Sequence, residues 1–85
     1  MSATGDFLIE LTDYVWLIEF AGLSFEQRGK AQDVLHGYLE AKFGNNISGN
    51  DFCAWFDSAY DLALEHGGAD WATGKHAERL LSWVA

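Results

Sequence analysis

The stretch Ser48 to Gly68, SGNDFCAWFDSAYDLALEHGG, decides the fold. Wound as a helix at about 100° per residue, it places Trp55, Ala59, Phe52, Ala63, Phe56, Tyr60, Cys53 and Leu64 on one continuous apolar arc. Asp57, Asp61, Glu65 and Ser58 occupy what remains of the circumference. A helix that lines only the edge of a core shows a narrower stripe. The pattern therefore predicts an all-α fold, a small bundle of four short helices around a central helix at about residues 50–66. Ser48 or Asn50 is the expected cap of that helix, and Gly67 and Gly68 its end.

Upstream, Ser24 and Gln27 have the spacing of a capping box, so a second helix is expected from Phe25 to Phe43, stopping at Gly44. Ala31, Val34, Leu35, Tyr38, Leu39 and Phe43 form its inward stripe, while Gly29 and Gly37 make it a slightly soft surface helix. Downstream, an element from about Asp70 to Val84 turns Thr73, Ala77, Leu80, Leu81 and Val84 inward. Lys75, Glu78, Arg79 and Ser82 face water in that reading, and Trp71 and Trp83 fall outside the stripe.

The first element, Asp6 to Ala21, read as a helix, puts Phe7, Tyr14, Ile18, Leu11, Val15 and Leu8 on one face and Asp6, Glu10 and Asp13 on an acidic ridge. Ile9, Trp16, Phe20 and Leu17 lie beyond that ridge, either covered by another element or forming an exposed patch. The β-branched and aromatic content of FLIEL and YVWLIEF also allows a hairpin over residues 7–20, which would make the fold α+β. Thr12-Asp13 lacks the glycine that tight hairpin turns favour, so the helix is preferred.

The 85 residues make one domain, 1–85, with four Trp, three Tyr and six Phe to fill a small core. A single cysteine, Cys53, excludes an intramolecular disulfide and fits a reducing compartment. The amino-terminal stretch has no basic region and carries Asp6, Glu10, Asp13 and Glu19 among its apolar residues, which argues against a signal peptide or a membrane span. A cytoplasmic protein is expected. The net charge is −8, and residues 1–27 and 43–74 contain no Lys or Arg at all. Direct nucleic-acid binding needs clustered bases, so a basic protein is the expected partner.

Catalytic and metal signals are thin. Asp33, His36 and Glu40 share the polar side of the second helix, but the spacing matches no di-metal bundle motif, and a solvated histidine beside surface acids is the simpler reading. His66 serves the end of its helix, His76 borders a core stripe, and Cys53 on the apolar arc reads as a buried, inert thiol. No enzyme, metal or cofactor is expected. The acidic rows are the stronger clue. Asp57, Asp61 and Glu65 stand four residues apart, a rise of about 6 Å per step, and Asp6, Glu10 and Asp13 repeat the arrangement.

Such rows imitate a nucleic-acid backbone and steer encounter with a Lys/Arg-lined groove, with Trp16 and Phe20 as apolar anchors. They also keep a small protein soluble. In size, acidity and helical character the chain resembles phage anti-defence proteins, including anti-CRISPR proteins, and immunity proteins that neutralise nuclease toxins. That resemblance rests on composition and implies an inhibitor of a nucleic-acid-handling protein. The alternative is a homo-oligomeric scaffold module, possible as a homodimer through the first helix.

Overall fold

The computed structural model describes residues 2–44, 46–66 and 74–85, with the side chains of residues 2–6 and 66 outside that set. The described residues form four helices in chain order, α1 (Ser2–Phe20), α2 (Phe25–Phe43), α3 (Gly49–His66) and α4 (Gly74–Val84). The expected all-α bundle is what forms. No strand occurs among the described residues, and residues 7–20, where a hairpin competed, are helical throughout. None of the described helices is long and apolar enough to cross a membrane.

The helix boundaries follow from local chemistry. Gly22 takes φ +89°, a left-handed turn that only glycine adopts without strain, and sends the chain back into α2. At the start of α2 the Gln27 amide N–H donates to Ser24 Oγ (3.1 Å) and the Ser24 N–H donates to Gln27 Oε1 (2.9 Å), the reciprocal capping box. Gly44, at φ +70°, closes α2 by donating its N–H to the Glu40 carbonyl at 2.9 Å. Ser48 caps α3, its Oγ accepting from the Asp51 N–H at 3.1 Å. Gly67, Gly68, Asp70, Trp71 and Thr73 lie outside the described residues.

The centre of the bundle is α1, not α3. α1 packs against α2, α3 and α4, most extensively against α3, and α2 also packs against α4. Leu11, Tyr14, Val15 and Ile18 of α1 are fully buried beside Leu35 and Leu39 of α2. Each such aliphatic side chain contributes about 1.5–3 kcal/mol on leaving water. α3 buries only the stripe Phe52, Phe56, Ala59 and Ala63, and leaves Cys53, Trp55 and Leu64 exposed. The wide apolar arc of α3 was a poor guide because its flanks meet solvent. The polar residues of α1 conceal its central position, since Glu10, Thr12 and Asp13 are buried with it. Thr12 Oγ1 is satisfied within the helix by donating to the Leu8 carbonyl at 2.7 Å.

α4 is rotated from the expected stripe. Leu80 is buried, but Leu81 is exposed, while Arg79 and Trp83 turn towards α1 and α2. Trp83 stacks on Tyr14 with ring centroids 5.1 Å apart, and the Arg79 guanidinium lies over the Tyr38 ring at 5.1 Å. In this orientation the Arg79 guanidinium donates to the Tyr14 and Tyr38 hydroxyls.

Candidate functional site

The outer face of α3 is set by its inner one. Phe52, Phe56, Ala59 and Ala63 fix the buried side, and at 100° per residue Asp57, Asp61 and Glu65 then point away from it. All three are exposed, and none takes part in an ion pair among the described residues. Like charges at this spacing cost an isolated helix a few tenths of a kcal/mol per pair, so the row persists without local compensation. Most of the chain's bases are committed elsewhere. Arg28 reaches Glu19 at 3.4 Å, Lys42 reaches Glu10 at 2.6 Å, and Arg79 donates to the Tyr14 and Tyr38 hydroxyls at 2.8 and 2.9 Å. Lys30 and Lys75 are exposed and take part in no ion pair among the described residues, and Lys42 is exposed but paired with Glu10, so the outward field of α3 is negative.

The second acidic row does not exist as a surface feature. Glu10 and Asp13 are buried, and the side chain of Asp6 lies outside the described residues. Glu10 accepts from Lys42 Nζ through Oε1 and from the Tyr38 hydroxyl through Oε2 at 2.5 Å. Asp13 Oδ2 accepts from His76 Nδ1 at 2.8 Å, and His76 Nε2 stands 3.9 Å from Glu10 Oε1. The network joins α1 to α2 and α4. The sequence pattern puts these carboxylates in water because acids are rarely buried without partners, and their partners lie on other helices. The legible signal was complementary spacing: Tyr38 and Lys42 one turn apart on α2, His76 and Arg79 one turn apart on α4.

Burial pushes the Glu10 carboxyl up, but the Lys42 and Tyr38 hydrogen bonds, with the Lys42 and His76 charges, bring it below its ordinary value. Asp13 goes the other way. Burial raises it more than the His76 hydrogen bond and charge lower it, and the Glu10 charge adds to the rise. Tyr14 is pushed up to about 12, chiefly by burial. A carboxylate holding an imidazole is an arrangement that can orient a general base, and here it also fastens α4 to α1. Asp13 Oδ1 is buried without a hydrogen-bond partner.

The apolar anchors are only partly available. Trp16 is half-buried against the core and Leu17 is buried, whereas Phe20 is 36% exposed with its ring 5.1 Å from Tyr60. Ile9 remains exposed. Cys53, expected to be buried, is exposed because the α3 stripe is narrow. His36 is not a solvated histidine. Its ring stacks on Phe52 at 4.6 Å, and its Nε2 lies 2.6 Å from the Ile47 carbonyl, which only accepts, so Nε2 carries the proton. Glu40 Oε2 accepts the Ile47 N–H at 2.8 Å, so the two side chains hold both backbone polar groups of one residue of the α2–α3 loop. Asp33 stands exposed, and no group of three potential metal ligands occurs among the described residues.

A hollow of about 380 Å³ runs along the flank of α3. Phe52, Phe56 and Tyr60 form its floor, Cys53 and Asp57 its outer wall, and Glu19 and Gln32 the opposite side. Sequence reasoning missed it because it pairs residues from three helices. Comparisons with protein-family models, with curated proteins and with solved structures give no significant match.

Proposed function

We propose that the chain is a cytoplasmic binding protein that inhibits a basic, nucleic-acid-handling protein by presenting the acidic face of α3 to its phosphate-binding groove. The observation that carries this reading is the row Asp57, Asp61 and Glu65, exposed and without ion pairs among the described residues, on a surface whose bases are mostly held by internal contacts. The row supplies steering and orientation. Phe20 and the aromatic flank of α3 supply apolar contact beside it, the usual composition of an interface. Glu10 and Asp13 are reassigned to holding the bundle together, so the binding face is narrower than the sequence alone implies. This is the mode of action of a nucleic-acid mimic, in the manner of anti-CRISPR or nuclease-toxin immunity proteins.

Affinity capture from lysate at low and high salt, with mass spectrometry of the retained proteins, tests the reading. A nuclease, polymerase or CRISPR effector subunit held at low salt and released at high salt is the expected result. Recovery of the chain alone contradicts it. A second reading, self-association, is favoured by the exposure of Leu8 and Ile9 on α1. Light scattering separates the two, since a monomer has the 9.5 kDa mass of one chain and a dimer twice that.

A further inference from the structure

We propose that the hollow along α3 is a socket for an arginine side chain of the basic partner, an inference that rests on the acidic face of α3 being the binding face. The floor is aromatic: Phe52, Phe56 and Tyr60 follow one another at four-residue spacing, with the first two rings 5.9 Å apart. His36 covers a face of Phe52 and Phe56 is buried, so the half-buried Tyr60 offers the ring on which a flat cation would lie. Asp57 stands at the outer rim with no ion pair among the described residues. On the opposite side Glu19 accepts from Arg28 at 3.4 Å and from the Gln32 amide at 3.3 Å, so Asp57 is the carboxylate of the hollow left to meet an incoming cation.

The volume, about 380 Å³, lies near the lower end of ligand clefts and suits a side chain better than a large cofactor. Guanidinium fits this chemistry better than ammonium. It is planar, more weakly hydrated, stacks on aromatic faces and forks onto a carboxylate. The charge complementarity is local and continuous, because Asp61 and Glu65 extend the same helix face beyond the rim and would meet further bases of the same segment.

Cys53 makes the socket observable, being the only cysteine of the chain, exposed, and part of the wall. The experiment measures binding of a short arginine-rich peptide, and of a lysine peptide of equal length, at low salt, together with the rate of Cys53 alkylation by iodoacetamide. The arginine peptide is expected to slow alkylation severalfold, and the lysine peptide to do so less. Asp57→Asn is expected to weaken arginine-peptide binding about tenfold and to remove the protection, as loss of a charge-assisted hydrogen bond does. Asp61→Asn, outside the hollow, is expected to weaken binding while protection persists at saturation. If the arginine peptide binds but Cys53 reacts at an unchanged rate, the socket is overturned while the acidic-face reading stands. Equal protection by the lysine peptide overturns the arginine assignment, and absence of binding by either peptide overturns both the socket and the reading beneath it.

Discussion

Glu10 and Asp13 sit one turn apart on α1, share a buried environment, and have carboxyl groups displaced in opposite directions. The sign of each contribution to stability follows. Glu10 lies below its ordinary value of 4.5, so its stabilisation is present above that pH and is lost as pH falls through the lowered value. Asp13 is raised above 3.8, so the folded state holds its proton more tightly and its contribution weakens as pH rises from 3.8 through the raised value. Glu10→Gln is expected to cost about 1–3 kcal/mol at neutral pH, because Lys42 and Tyr38 lose a charged acceptor. The gap between wild type and Glu10→Gln in urea unfolding narrows towards pH 3; a gap independent of pH contradicts the assignment. These residues were the least legible in the sequence, since acid ridges look alike whether solvated or buried and their partners stand on other helices, 28 to 63 residues away.

Among the elements, α2 was the most legible, because its signals are local: a capping box, a left-handed glycine and a regular stripe ending in Leu35 and Leu39. Ser24→Ala is expected to cost about 1 kcal/mol by leaving the first turn without its cap. Gly29 and Gly37 are exposed within the same helix, and a Cβ added at either meets nothing within 4 Å. Gly29→Ala and Gly37→Ala should therefore each stabilise the protein by about 0.5–1 kcal/mol, read as a higher midpoint in thermal or urea unfolding. A fall in midpoint for either would point to a contact at that position. α3 was legible as a helix but not as an edge element, and α4 was read with its face turned by one position. Periodicity reports which residues are apolar; it does not report that Arg79 finds tyrosine hydroxyls or that Cys53 faces water.

At the scale of the molecule, the fold separates charge by role. Arg28, Lys42 and Arg79 are drawn into contacts between helices, while Asp57, Asp61 and Glu65 remain outside on α3. The net charge of −8 was plain in the sequence, but its sorting between interior and surface was not, because that sorting is made by tertiary packing. Electrostatic steering predicts that association with a basic partner slows as ionic strength rises, with most of the change in the on-rate. The role of α3 is separable from net charge by comparing two variants of equal charge, Asp57→Lys with Asp61→Lys on α3, and Glu26→Lys with Asp33→Lys on α2, all four positions being exposed. The decisive measurement is the association rate of each variant with the partner recovered by low-salt capture. The acidic-face reading predicts that reversal on α3 slows association by tenfold or more, while reversal on α2 leaves it within a few-fold of wild type. Equal slowing by both variants, or none by the α3 variant, would contradict it and leave the α3 acids as a solubilising surface.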